Sequence, residues 1–168
     1  MPAGRASPRI ASERFRDFFE LTLVRTLNVS RSLVWKAWST KEHVEKWWCP
    51  KPWRAEFTAF DLRAGGAFDS VMFGPNGEKF AGEGSFLEVF PASRVAFTDL
   101  FAADWRPLEG EMLGFTAAIA FEDDGAGTRY SARVRHRNAA DLKKHEEMGF
   151  YDGWSTMLAQ LEDYAKSL

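Results

Sequence analysis

The chain has 168 residues and a formal net charge of −2, a length that suits one domain able to bury about 70% of its unfolded surface without staples. A near-neutral balance with no basic face argues against a nucleic-acid partner, and the absence of an 18-residue apolar run argues against a membrane span. Cys49 is the single cysteine, which excludes an internal disulfide, fits a reducing compartment and leads us to expect a cytoplasmic protein.

The 15 Phe and 7 Trp against 3 Tyr favour buried rings or an apolar pocket over a polar binding surface. Residues 1–15, with Pro2, Gly4, Ser7, Pro8 and Ser12, read as a flexible tail. Arg5, Arg9 and Arg14 accompany no apolar segment, so a signal peptide is not expected. Residues 16–168 read as a single domain.

The first strand is marked by Phe19, Leu21, Leu23, Arg25, Leu27 and Val29 on one parity. Ser30 is suited to cap a helix reaching Trp38, with Leu33, Val34, Ala37 and Trp38 turned inward. Thr40 opens a second short helix with Glu42 in its first turn, and Pro50 and Pro52 stop that segment. Adjacent rings at a helix end diverge, so one of Trp47 and Trp48 is expected in the core and the other over a pocket mouth.

Strands follow at residues 54–62 and 67–73, joined by Ala64-Gly65-Gly66. Asn76-Gly77 signals a tight hairpin, since both positions tolerate positive φ. Residues 79–89 and 94–101 form the next pair, and a loop at 103–109 holds Asp104, Trp105 and Pro107. A last hairpin, 112–121 with 128–137, turns at Asp123-Asp124-Gly125-Ala126-Gly127. In it Arg129, Ser131, Arg133, Arg135 and Arg137 share one face, and Thr128, Tyr130, Ala132, Val134 and His136 the other. That alternation means an antiparallel sheet with one wet side.

The chain closes with a helical stretch at 139–166. Phe150, Trp154, Met157, Leu158, Leu161, Tyr164 and Leu168 recur at spacings of three and four and describe one apolar face. Gly149 and Gly153 predict a break near 148–150 or a close approach by another element.

The order strand, two capped helices ending in Trp47-Trp48-Cys49-Pro50, six strands and one long helix resembles a known superfamily over nearly all of residues 21–168. It is the START or polyketide-cyclase-like superfamily, with the birch-pollen-allergen-like fold; within it, the chain is similar to the group named after the activator of the heat-shock-protein-90 ATPase. The resemblance implies an α+β helix-grip fold, a curved antiparallel sheet of about seven strands around a long C-terminal helix, with a cavity between them.

Strand parity and helix spacing supply a lining for that cavity: Trp48, Phe57, Phe68, Met72, Phe97, Asp99, Phe101, Tyr130, Met148, Trp154 and Met157. The leading expectation is a protein that binds a small apolar or aromatic ligand there, with the two short helices and the 103–109 loop gating entry. Superfamily relatives that are cyclases or dehydratases imply a second reading, in which Asp99, Tyr130 and His136 converge on the ligand as acid, base or orienting groups. The group's name implies a third, a co-chaperone-like stress-response role. Self-association as a homodimer is expected if an aromatic patch that includes Trp105 lies exposed. His136 reads as a rim residue at a strand end, and Cys49 as a packing residue rather than a nucleophile. No zinc spacing, phosphate-cradling glycine loop or Ser-His-Asp signature appears, so neither metal nor cofactor is expected, and no residue is assigned as catalytic.

Overall fold

The structure is a computed structural model and describes residues 18–168; the N-terminal tail expected at 1–15 lies outside the described residues. Strand β1 (Glu20–Leu27) is followed by helices α1 (Arg31–Trp38) and α2 (Lys41–Val44). Strands β2 (Arg54–Phe60), β3 (Phe68–Phe73), β4 (Lys79–Gly82), β5 (Ser85–Phe90) and β6 (Arg94–Thr98) come next. A two-residue ribbon, β7 (Phe101–Ala102) with β8 (Arg106–Pro107), precedes the long hairpin β9 (Phe115–Asp124) and β10 (Gly127–His136). Helices α3 (Ala139–Glu147) and α4 (Phe150–Lys166) end the chain. Among the described residues no helix is long and apolar enough to cross a membrane.

The sheet is antiparallel throughout and comes in two main pieces. Five strands run in the order β1-β10-β9-β6-β5, and three in the order β2-β3-β4. A bridge between Ala67 and Ser85 joins the pieces, reinforced by Gly65 and Phe86 exchanging backbone bonds with their neighbours: Gly65 N–H donates to Phe86 O at 2.8 Å and Phe86 N–H to Gly66 O at 3.0 Å. The fold expected from the sequence is therefore present, with the sheet divided at one seam. The stretch 79–89 is not one strand. Gly82–Gly84 carries the chain from the small sheet to the large one, so β4 and β5 pair with different partners. The turn at Gly65-Gly66 is tight enough to specify its residues. A Cβ on Gly66 would stand 1.9 Å from the carbonyl oxygen of Asp61.

The long hairpin keeps the expected alternation. Thr128, Tyr130, Ala132, Val134 and His136 are buried, while Arg129, Arg133 and Arg135 are exposed on the outer face. There Glu20 receives Arg133 Nε at 3.2 Å and Arg135 Nε at 2.9 Å. Partial burial alone would raise the Glu20 pKa; the hydrogen bonds from Arg135 and Arg133 outweigh it and hold the carboxyl below its usual range. Arg25, on the inward parity of β1, keeps its head in solvent and donates to Ser155 Oγ on α4 at 3.0 Å.

The helix ends follow their caps in part. Thr40 Oγ1 accepts from His43 N–H at 3.3 Å. Ser30 is the α1 N-cap but its hydroxyl makes no capping bond; it pairs with Ser32 Oγ at 3.1 Å instead. Asn138, which the sequence reading passed over, caps α3 by accepting from Asp141 N–H at 2.8 Å. The expected break in the closing helix falls at Gly149, whose φ of +89° separates α3 from α4.

Candidate functional site

The interior between sheet and closing helices is not uniformly filled. At one end, α1 lays Val34, Ala37 and Trp38 against Phe121, Tyr130, Leu158, Leu161 and Ala165, all fully or nearly fully buried. Trp38 is edge-on to Trp47 at 5.1 Å and to Phe121 at 6.3 Å between ring centroids. At the other end lies a cavity of about 430 Å³, within the range of small-molecule sites.

Six chain segments build it. Strand β3 contributes Phe68, Ser70 and Met72, and β6 with its exit contributes Phe97, Thr98 and Asp99. The closing helices contribute His145, Met148, Phe150, Trp154 and Met157, and the segment after α2 contributes Trp48, Cys49 and Pro50. Gly82, Glu83, Gly84, Leu113 and Phe115 complete the wall. Trp48 divides the two ends. Its ring contacts Trp38 at 5.8 Å on the filled side and Phe68 at 5.2 Å on the open side. Trp47 beside it is buried, its indole N–H donating to Ala37 O at 3.0 Å. The expected division of labour between these two tryptophans is therefore what the structure has, with Trp48 at the pocket.

The rim segment is held by a residue that the sequence reading did not single out. Gln160 on α4 donates from Nε2 to the carbonyl oxygens of Trp47 (3.0 Å) and Cys49 (2.9 Å), and accepts Lys51 N–H at 2.9 Å. One amide side chain thus ties the Trp48 wall to the helix that forms the opposite wall. A glutamine interrupting an apolar helical face was the available signal. Glu45 does the same for the sheet side, accepting Phe57 N–H at 2.8 Å.

Of the eleven lining residues expected from the sequence, eight meet at this cavity: Trp48, Phe68, Met72, Phe97, Asp99, Met148, Trp154 and Met157. The other three lie elsewhere. Phe57 pairs with Ser70 and faces the same way, but it is buried against Phe68 (5.1 Å) and Trp48 (6.0 Å), whose rings line the space in its stead. Phe101 belongs to the β7–β8 ribbon, since β6 ends at Thr98 and parity does not carry past it. Tyr130 sits in the filled end against Phe121 at 5.4 Å, with its phenol pushed up from its ordinary value by complete burial.

Asp99 is a loop fastener. Its two carboxylate oxygens accept the N–H groups of Gly114 (3.0 Å) and Phe115 (2.9 Å), which closes the loop between β8 and β9. His136 is buried rather than on the rim. Its Nδ1 meets Phe19 O at 3.0 Å and its Nε2 meets His145 Nδ1 at 2.9 Å. The 103–109 loop does not reach the cavity. It folds over Gly65, with Asp104 N–H donating to Gly65 O at 2.9 Å and the half-exposed Trp105 indole lying on that glycine. The mouth is framed instead by the 48–50 segment, Gly82–Gly84 and Met148, which is 65% exposed. Burial pushes the Cys49 thiol up to about 11, so it is protonated at neutral pH and unsuited to nucleophilic work.

A sequence model of the family described as activator of Hsp90 ATPase homolog 1-like protein matches residues 28–166. The chain belongs to that family. Solved structures agree. A protein from Nitrosomonas europaea is 40% identical, with a TM-score of 0.83 over 88% of this chain and 94% of that one. One from Mycobacterium smegmatis is 26% identical, with a TM-score of 0.76 over 90% and 93%. An Aeromonas hydrophila structure described as AHSA1-like is 18% identical at a TM-score of 0.65, over 88% and 92%, a likeness in fold alone. Among curated proteins no significant match to the sequence is found. The shared scaffold does not by itself assign a function.

Proposed function

We propose that this Hsp90-activator-homologue-like domain binds a small apolar or aromatic molecule in the cavity between β3, β6 and the closing helices. The observation that supports the reading is the cavity itself. Some 430 Å³ of space is bounded by Trp48, Phe68, Phe97, Phe115, Trp154 and three methionines, where a filled core would have placed side chains at packing density. Methionine walls adapt to ligands of differing outline at little cost. The enzymatic alternative has weaker support, because its three residues do not converge: Asp99 is engaged by two backbone amides, Tyr130 lies in the filled end, and His136 faces His145. Nothing in the cavity bears on a co-chaperone role.

Native mass spectrometry of protein purified from its own source tests the reading. The expected result is an added mass that leaves on denaturation and that is reduced by Met157→Trp, which fills the cavity from α4. Unchanged retention in that variant would count against the site.

A further inference from the structure

The charged groups around the cavity are one-sided, Glu83 and Asp99 being carboxylates. No Lys or Arg lines it; Arg94, Arg133 and Arg135 stand on the opposite face of the sheet, paired with Glu88 and Glu20. Most of the acceptors present are already engaged. Asp99 holds two amides, Thr98 Oγ1 donates to Phe115 O at 2.7 Å and accepts Leu100 N–H at 3.1 Å, and Glu83 is paired with Arg106 at 3.2 Å.

His145 differs from these. It is 7% exposed, lines the cavity, and sits among the rings of Phe115 (5.4 Å), Phe150 (5.2 Å) and Trp154 (6.4 Å). Its Nδ1 is taken by His136, and its Nε2 has no hydrogen-bond partner among the described residues. The proton positions follow from chemistry. Phe19 O can only accept, so His136 carries its proton on Nδ1. A neutral His136 then has a bare Nε2, which can only accept from Nδ1–H of His145. That leaves the lone pair of His145 Nε2 free, on a stretch of wall shared with the rings of Phe115, Phe150 and Trp154.

We propose that the cavity selects a neutral, flat aromatic molecule carrying one hydrogen-bond donor, a phenolic or enolic hydroxyl, which it directs at Nε2 of His145. This rests on the reading of the cavity as a ligand site. An anionic ligand would meet two carboxylates in the wall and no Lys or Arg lining it, which is costly. A bound apolar ring would cover this acceptor, a donor on the ring satisfies it, and a site built around such a bond rejects the analogue lacking it. The state of the ring agrees with the geometry: burial, then the neighbouring His136, pushes His145 down to about 4, so it is neutral at pH 7.

The test is calorimetric titration of the full chain at pH 7 with 2-naphthol, 2-methoxynaphthalene and 2-naphthoate, repeated on His145→Phe. The naphthol is expected to bind about three- to tenfold more tightly than its methyl ether, with the carboxylate weakest. In His145→Phe the naphthol and the ether should converge. Equal affinity of those two in the unaltered protein, or a preference surviving in the variant, overturns the donor rule while leaving the cavity reading intact. Failure of all three probes to bind overturns both. Long-range proton–nitrogen NMR of the imidazoles gives an independent readout. His145 is expected to hold its proton on Nδ1 with a bare Nε2, and an Nε2–H tautomer would contradict the inference without any ligand present.

Discussion

The two ends of the interior are built from the same strands and the same long helix, yet one is packed solid and the other is hollow. On the filled end, α1 lies against the C-terminal half of α4, where Leu158, Leu161 and Ala165 are buried. On the open end no α1 is present. The N-terminal half of α4 faces β3 and β6 across the space, and its residues there include Gly153, Trp154 and Met157. Two features keep this end open. The sheet divides at Gly82–Gly84, so β3 and β4 pair apart from β6, and Gly149 ends α3 before α4 begins. A cavity in this fold thus results from where backbone breaks fall, because the apolar periodicity of strands and helix is the same at both ends.

This contrast predicts unequal responses to similar truncations. Trp38→Ala should cost about 3–5 kcal/mol in urea unfolding, since the surrounding rings cannot collapse onto the space. Met72→Ala, on a wall already facing open space, should cost about 1 kcal/mol. Comparable losses from the two would mean that the cavity is occupied by side chains in solution. Acid should act next, and on the open end. The ordinary value for His145 is 6.5 and the folded value about 4. Between these the unfolded chain takes up a proton that the folded chain refuses, so this contribution is complete above about pH 6.5 and is lost as pH falls towards about 4. Unfolding midpoints at pH 7 and about pH 4.5 should differ less in His145→Phe than in the parent; an unchanged difference would place the acid sensitivity elsewhere.

The glycines of the open end supply smaller and opposite effects. Gly149 has a φ of +89°, so Gly149→Ala should cost about 1–2 kcal/mol. Gly153 is helical, and a Cβ there would meet nothing within 4 Å. Gly153→Ala should therefore raise stability by about 1 kcal/mol. Thermal unfolding checks both, and destabilisation by Gly153→Ala would show that the two walls come closer than this account allows.

Much of this architecture is legible in the residues. The alternation from Thr128 to His136 assigns both faces of β10, and the Gly149 break follows from propensity. Eight of the eleven lining residues follow from parity and from the three-to-four spacing on α4. Parity gave Phe57 its correct face, opposite Ser70, but not the rings of Phe68 and Trp48 packed against it; Phe101 was misplaced because β6 ends at Thr98 and parity does not carry past that end. Tyr130 was placed on the correct face but at the wrong end, because parity carries no information on position along the strand direction. The His136–His145 pair and the partners of Gln160 were out of reach for a different reason. Each joins elements whose proximity depends on how α3 and α4 dock, and docking leaves no local pattern.

The central claim is that space exists at one end of the interior and is absent from the other. Methyl-resolved NMR during titration with 2-methoxynaphthalene, which needs no polar contact, tests it most directly. The account predicts shifts at the methyls of Met72, Met148 and Met157, with Val34, Leu158 and Leu161 unmoved. Shifts centred on Val34 and Leu161, or no shift at any of the six up to the probe's solubility, would contradict it.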